Sequence, residues 1–408
     1  DAQQQYLAYN AMASMMWYAS KMDSAKFYFQ EALNAVHHMD TTPVNKYYRT
    51  AILTNNIAGI YRLEGKTTEA IKAMETAINN TKKFIASKGN EENKKNALSL
   101  QFEAIDNLAG IYKDFGNYSR AQHLLEYSYQ QKRKSLPPSD PALFISRILL
   151  GQLYYATKEY EKALSYLYKG QEALHQEEGD YFLWDADACY TIALILDEQN
   201  KPVKANEYYK KANSLYAIAF QENYDEIYLD FLRNYSLFDA ENGRCSQAIK
   251  QSLAALNYVS VNNASGSLLR LYQLLNLSEI YAKCGHYIHS LTYAQKAITY
   301  IRNYIPQSTS FLDSIKIESE MPKAILLQSK AKYKLLQNRD TGSIAAILKD
   351  LNETVRLIER KRTIFSDAHD LGTFIESQKE LTDFIKQLNY ELYKLSYHKG
   401  YIDKIIGV

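Results

Sequence analysis

Asparagine recurs at one position of a repeated sequence phrase, where its chemistry suits it to holding a peptide. Four asparagines each stand immediately before a large apolar or aromatic residue: Asn56, Asn107, Asn234 and Asn276. Successive side chains of a helix point in different directions, so the residue before one that packs in the core lies on the adjacent face of the helix. A carboxamide both donates and accepts hydrogen bonds, so a ladder of amides could bind an extended backbone without selecting particular side chains. The alternative is that the same amides bond to adjacent helices and brace the fold.

Further polar residues are expected on the face that carries these amides. They are Arg62, Lys113, Gln152, Tyr155 and Arg233. A surface that mixes amides, a phenol ring and cations favours an acidic peptide, or the carboxyl terminus of a peptide, as its ligand. Taken singly, each of these side chains could instead be a solvated group on an exposed helix.

Patterns typical of catalysis and of metal binding are missing from the sequence. It contains no HExxH pair, phosphate-binding loop, nucleophile elbow or dinucleotide fingerprint. Cys284, His286 and His289 are close in sequence, but a zinc site needs four convergent ligands and no second cluster accompanies these three. We therefore expect that this chain is not an enzyme and binds no metal or cofactor.

The composition of the sequence disfavours nucleic-acid-binding, membrane and disulfide-stapled proteins. The 48 basic and 46 acidic residues are mixed along the chain and give a net charge of +2, which disfavours nucleic acid as a partner. No run of 18 apolar residues exists, so we expect no membrane contact by this segment. Three cysteines are too few for a disulfide-stapled fold, and a cytoplasmic location is favoured although the compartment stays open. Because Asp1 is not methionine, we expect that an upstream segment has been removed.

The repeated phrase sets the elements that must position these residues. A small-residue pair precedes a tyrosine, and an alanine follows nine residues later, as in Tyr61 to Ala70 and Tyr112 to Ala121. The equivalent positions along the chain are Ala25, Ala70, Ala121, Ala163, Ala205, Ala248 and Ser290, 42 to 51 residues apart. Each interval holds two amphipathic stretches with helical spacing. The sequence therefore predicts an all-α fold, a right-handed superhelical α-solenoid of helix pairs.

Small residues in this phrase have a steric role. Gly151 on the first helix of a pair and Ala163 on the second would let two backbones approach closely, beside the ring of Tyr154. Glycines follow the first helix of four pairs, at positions where a left-handed backbone conformation is needed. They are Gly65, Gly116, Gly243 and Gly285.

The phrase resembles the tetratricopeptide repeat, most closely in the stretch from Asn107 to Ala121. The resemblance covers roughly residues 5 to 305 and implies a protein or peptide ligand on the concave face of the array. The usual repeat has 34 residues, and the ~8 extra residues here, shared by two helices, lengthen each helix by ~6 Å. Such long repeats resemble those of kinesin light chains and of bacterial peptide-sensing regulators.

Residue 305 divides the chain into two predicted regions. Residues 1–305 hold seven tetratricopeptide-like pairs, and residues 306–408 hold irregular helices predicted at Met321–Leu336, Ser343–Phe365 and Leu371–His398, with a further helix starting at Tyr401. The stretches Leu357–Phe365 and Leu392–Tyr401 resemble the junction that leads into CHAT domains, which are caspase-like peptidases. The resemblance implies that the chain is the sensor arm of such a protease and leads to a missing effector, but it transfers no catalytic residue. The alternatives are the input region of a bacterial signalling protein or a stand-alone adaptor.

Overall fold

A computed structural model describes residues 1–88, 90–175, 179–221, 224–262, 268–304 and 310–406. Within these ranges the regular structure is entirely helical, which confirms the all-α prediction. The helices are α1 Ala2–Tyr18, α2 Met22–His37, α3 Thr50–Leu63, α4 Thr67–Ala86, α5 Glu91–Phe115, α6 Tyr118–Ser135, α7 Pro141–Ala156, α8 Tyr160–Leu174, α9 Phe182–Glu198, α10 Pro202–Ala219, α11 Glu226–Glu241, α12 Cys245–Asn262, α13 Leu268–Lys283, α14 Tyr287–Tyr304, α15 Phe311–Glu318, α16 Met321–Leu335, α17 Thr341–Arg362, α18 Ala368–Ser377, α19 Lys379–Ser396 and α20 Gly400–Ile406. A π-helical turn, Val44–Arg49, runs directly into α3.

Several helices start where the sequence supplies a capping side chain. Asp140 accepts a hydrogen bond from the backbone of Ala142, and Pro141 occupies the first turn, where its missing N–H costs nothing. Asn117 and Asp340 cap α6 and α17 in the same way. These local signals fix the helix starts before any tertiary packing is considered.

The turn inside each pair has one recurring backbone geometry. All four glycines predicted to need a left-handed conformation have positive φ, between 73° and 90°. In the first, fourth and fifth pairs the same turn position is filled by Ser20, Lys158 and Asn200, which also have positive φ. The turn therefore belongs to the repeat itself, and glycine is only its least costly occupant.

Close approach of helices within a pair depends on small residues, as predicted. The alanines at the repeat position, including Ala70 and Ala163, are fully buried. A Cβ on Gly151 would lie 2.6 Å from Cγ of Leu167 and 3.3 Å from the carbonyl oxygen of Ala163. Such contacts are shorter than carbon atoms tolerate, so α7 and α8 can pack at this distance only because residue 151 is glycine.

The chain folds into two compact units. Unit 1 comprises Asp1–Phe231 with Ser260–Ser265, and unit 2 comprises Leu232–Val259 with Gly266–Val408. Unit 1 holds α1–α10 and the start of α11. Unit 2 has an apolar core built from α13, α14, α16, α17 and α19. The functional division predicted at residue 305 stays a prediction.

The C-terminal helices agree only in part with those predicted, since α16 and α17 lie where expected. The short helix α15 was missed, and the single helix expected over Leu371–His398 is two helices, α18 and α19, separated at Gln378. Asp367 caps α18 by accepting from the backbone of His369 and Asp370. The predicted helix near Tyr401 is present as α20.

One disulfide joins two of the three cysteines. Cys245, at the start of α12, is bonded to Cys284, beside the turn between α13 and α14, with Cα atoms 5.8 Å apart. Cys189 is free and buried in α9. Among the described residues, no helix combines the length and the apolar character needed to span a membrane.

Candidate binding face

The first helices of the pairs in unit 1 bring polar side chains together across long sequence separations. On α3, Nε of Arg62 lies 2.6 Å from a carboxylate oxygen of Asp114 at the end of α5. A terminal nitrogen of the same guanidinium lies 4.0 Å from a carboxylate oxygen of Glu226 at the start of α11. Arg62 thus links the second, third and sixth helix pairs.

The contact between α3 and α11 constrains the curvature of unit 1. Three helix pairs separate these elements along the chain, so their side chains can meet only if the array bends toward the side of its first helices. A second contact agrees, because the hydroxyl of Ser20 donates to the backbone carbonyl of Tyr224 at 3.2 Å. We name this side of α3, α5, α7, α9 and α11 the polar face. Its polar side chains include Arg62, Asp114, Gln152, Tyr155, Asp187, Glu226 and Asp230.

Asp187 on α9 organises the middle of the polar face. Its carboxylate accepts a hydrogen bond of 2.5 Å from the hydroxyl of Tyr216 and one of 3.3 Å from the amide of Gln152. Asp187 and Tyr216 are buried, whereas Gln152 remains partly exposed. The predicted binding residue Gln152 is therefore held in place by a carboxylate that the sequence did not single out.

Asp230 on α11 lies near several of these groups. It accepts a hydrogen bond of 3.1 Å from the hydroxyl of Tyr190. Burial is the main cause of the raised pKa values of Tyr155, Asp187 and Glu226, and the negative charge of Asp230 adds a smaller contribution to each. Tyr155 itself packs its ring against that of Tyr160, with centroids 6.2 Å apart.

Burial and like charges raise the pKa values of two carboxyl groups on the polar face. Burial raises the pKa of Asp187 to about 6, while hydrogen bonds from Tyr216 and Gln152 and the charge of Lys113 oppose the rise. Water reaches part of the Glu226 side chain, yet the protein around it raises the pKa of this carboxyl to about 7. Arg62 opposes that rise, and Asp114 adds to it. Crowded carboxylates of this kind stabilise a neutralising cation or proton.

One of the predicted amides, Asn107, takes part in a chain of hydrogen bonds between two repeats. Asn107 donates to the side-chain oxygen of Asn55 at 3.3 Å, and Asn55 in turn donates to Glu103 at 3.1 Å. These bonds join α3 to α5, as the bracing alternative requires. The buried Asn55, rather than its predicted neighbour Asn56, makes the link between repeats.

The three remaining predicted residues lie in unit 2. The guanidinium of Arg233 lies over the ring of Tyr272, 5.1 Å from its centroid. Asn276 is buried and donates to the hydroxyls of Ser252 and Ser236, at 3.2 and 3.4 Å. Asn276 therefore braces α13 against its neighbours, and its buried amide is not accessible to a ligand. Asn234 is partly exposed on α11.

The sequence interpretation missed the carboxylates of the polar face, which are Asp114, Asp187, Asp230 and Glu226. The sequence predicts that Arg62 and Lys113 meet an acidic ligand, but Arg62 already has carboxylate partners within the chain. The Cys284, His286 and His289 group loses its thiolate to the disulfide. No cluster of three or more metal-binding side chains occurs in the described ranges.

Comparison with known proteins identifies the repeat. Residues 186–218 match the family model of the tetratricopeptide repeat. The chain contains a tetratricopeptide repeat. The matched segment spans most of α9 and α10 and includes both Asp187 and Tyr216, so the buried bond of the polar face lies within one tetratricopeptide unit. Among curated proteins, no sequence matches the chain significantly.

Solved structures that are similar to this chain are distant from it in sequence. A Rap protein complexed with competence and sporulation factor is 12% identical, with 97% of this chain and 99% of that chain covered and a TM-score of 0.54. The apo form of RapI is 16% identical over 74% of this chain and 99% of its own, with a TM-score of 0.49. A signal-transduction ATPase with a tetratricopeptide repeat sensor, from Pyrococcus horikoshii, is 14% identical over 93% of this chain and 54% of its own, with a TM-score of 0.49. The likeness to the Rap protein establishes the tetratricopeptide-type fold.

Proposed function

We propose that this chain is a non-catalytic protein- or peptide-binding module and that the polar face of unit 1 is its concave binding surface. The observation that carries the proposal is the approach of α3 to α11 through Arg62 and Glu226, across three intervening helix pairs. Stacked helical repeats use the extended concave surface that their curvature creates for binding.

The charge of the face favours a cationic ligand. Arg62 is engaged by Asp114 and Glu226, whereas burial, and after it the charges of neighbouring carboxylates, raises the pKa values of Asp187 and Glu226. A lysine, an arginine or a free amino terminus placed near Glu226 and Asp230 would supply a compensating charge. The acidic ligand favoured by the sequence alone would add to the repulsion.

The framework of the face is built before any ligand arrives. The bonds of Asp187 to Tyr216 and Gln152, and the bond of Asn107 to Asn55, fix side chains on four of its helices. A preorganised surface loses less conformational entropy when it binds. We therefore expect an extended segment to bind with little movement of unit 1.

The binding proposal is tested with two pools of labelled random peptides of equal length, one rich in lysine and one rich in glutamate. The face variant carries Asp114→Asn, Glu226→Gln and Asp230→Asn. The control variant carries the same change in charge on exposed positions of α4, α8 and α10, as Glu75→Gln, Glu172→Gln and Glu207→Gln.

Fluorescence polarisation of the wild-type chain should show binding of the lysine-rich pool in preference to the glutamate-rich pool. The face variant should bind the lysine-rich pool at least ~10-fold more weakly, a loss of ~1.4 kcal/mol or more, and the control variant should match the wild type. Preference for the glutamate-rich pool, or equal losses in the two variants, would refute a cationic ligand on this face.

We further propose that the module is the regulatory arm of a larger protein of the CHAT protease type. The support is the resemblance of residues 357–365 and 392–401 to the junction that precedes such peptidases. The fold shared with the Rap protein, which was solved with competence and sporulation factor, supports the alternative of an input region in a bacterial signalling protein. A stand-alone adaptor is the third possibility.

The mass of the native polypeptide, measured in its own cells with an antibody against this region, separates these roles. A product much larger than 47.0 kDa, with a peptidase sequence attached, is the expected result. A product near that mass would contradict the regulatory-arm proposal and favour the adaptor.

A further inference from the structure

A cleft in unit 2 lies among α14, α16 and α17 and shares no residue with the polar face. Its volume is about 210 Å³. Four charged side chains of both signs line it: Arg302, Lys332, Asp350 and Glu353. The cations come from α14 and α16 and the carboxylates come from α17, so the cleft has a positive and a negative side.

Some of the lining groups are already paired. Nζ of Lys332 lies 2.7 Å from a carboxylate oxygen of Asp350, and these two charges neutralise each other. The amide of Gln328 donates to the side-chain oxygen of Gln295 across the same cleft. This amide pair leaves one carbonyl oxygen and one NH₂ group for further hydrogen bonds.

Arg302 and Glu353 are the two charged lining residues that do not belong to the Lys332–Asp350 ion pair. Both line the cleft, both are exposed, and neither has an ion-pair partner within the part of the chain that the structure describes. They carry opposite charges but do not pair with each other. A ligand that carries a negative group at one end and a positive group at the other could bridge them.

We propose that this cleft binds a small zwitterion of the free amino-acid class. The ligand carboxylate would bind the guanidinium of Arg302, which suits the planar fork of a carboxylate, and its ammonium would bind Glu353. The cleft is below the ~300–1,000 Å³ typical of sites for drug-sized ligands, so its volume suits a ligand of few heavy atoms.

Ligand-observed nuclear magnetic resonance with the twenty free L-amino acids tests this proposal on the full chain. The best binder is then compared with its N-acetyl derivative, which lacks the ammonium, and with its amide derivative, which lacks the free carboxylate. The variants are Arg302→Gln and Glu353→Gln, with Arg356→Gln on the exposed side of α17 as the control.

At least one free amino acid should bind, and Arg302→Gln and Glu353→Gln should each weaken binding at least ~10-fold while Arg356→Gln leaves it unchanged. Glu353→Gln should not weaken binding of the N-acetyl derivative any further, because that derivative lacks the ammonium group that Glu353 would bind. Failure of all twenty amino acids to bind, or binding that survives both cleft substitutions, would overturn the proposal. Peptide binding by unit 1 is measured separately and does not depend on this result.

Discussion

Replacement of Gly151 by alanine tests the steric basis of the repeat. The added Cβ would lie 2.6 Å from Cγ and 2.8 Å from Cδ2 of Leu167, a side chain that is fully buried. Carbon atoms in contact prefer ~3.5–4.0 Å, so Leu167 or the helix that carries it must shift by about 1 Å. Overpacking of this kind costs ~1–3 kcal/mol, and the better helix propensity of alanine returns up to ~1 kcal/mol. We expect a net loss of about 1–2 kcal/mol.

Gly110 provides a matched control in α5. Among the described residues, a Cβ at this position would meet no atom within 4 Å beyond its own stretch of helix, so Gly110→Ala should stabilise the protein by ~0.5–1 kcal/mol through helix propensity alone. Urea unfolding followed by far-ultraviolet circular dichroism compares the two variants with the wild type. The reasoning would be refuted if Gly151→Ala proved as stable as Gly110→Ala, since the two substitutions differ only in the space around the new methyl group.

Three further predictions concern single groups. Because the pKa of Asp187 rises from 3.8 to about 6 on folding, the folded state holds a proton that the unfolded state releases between these pH values. The unfolding free energy should therefore fall by about 2–3 kcal/mol as pH rises from ~4 to ~7, and Asp187→Asn should flatten that slope in chemical denaturation at several pH values. The disulfide between Cys245 and Cys284 joins residues 39 positions apart in sequence, so its reduction should lower the unfolding free energy by up to ~4 kcal/mol and lower the melting temperature of unit 2. The variant with serine at both positions should show no response to reductant. Asn276→Ala should lower the unfolding free energy, measured by thermal unfolding, by ~1–3 kcal/mol because two buried hydrogen bonds to hydroxyl groups are lost. Asn56→Ala should lower it far less, and equal losses in the two variants would contradict the bracing role of Asn276.

The repeat architecture could be predicted from the sequence because its determinants are local. The left-handed turns at Gly65 and Gly116 and the close approach at Gly151 each depend on one residue type at one position. Such features are visible as a period in the sequence. The irregular C-terminal region lacks that period, and the break at Gln378 falls between polar residues without glycine or proline to mark it.

The binding face was harder to predict because its charges come from helices far apart in sequence. Arg62 reads as an available cation in the sequence, and only the curvature of unit 1 brings Glu226 near it. Asp187 lies in an apolar stretch of α9 where nothing nearby indicates its bonds to Tyr216 and Gln152. Of two adjacent asparagines, Asn55 and Asn56, the helical period alone did not identify the one that links repeats.

The most direct test of the binding proposal is photo-crosslinking with the tightest-binding lysine-rich peptide. Benzoylphenylalanine replaces Tyr155 on the polar face in one variant and Tyr168, which is 43% exposed on α8, in the other. Crosslinking of the peptide through position 155, with none through position 168, is the predicted result. Equal crosslinking at both positions, or crosslinking through position 168 alone, would contradict binding on the polar face of unit 1.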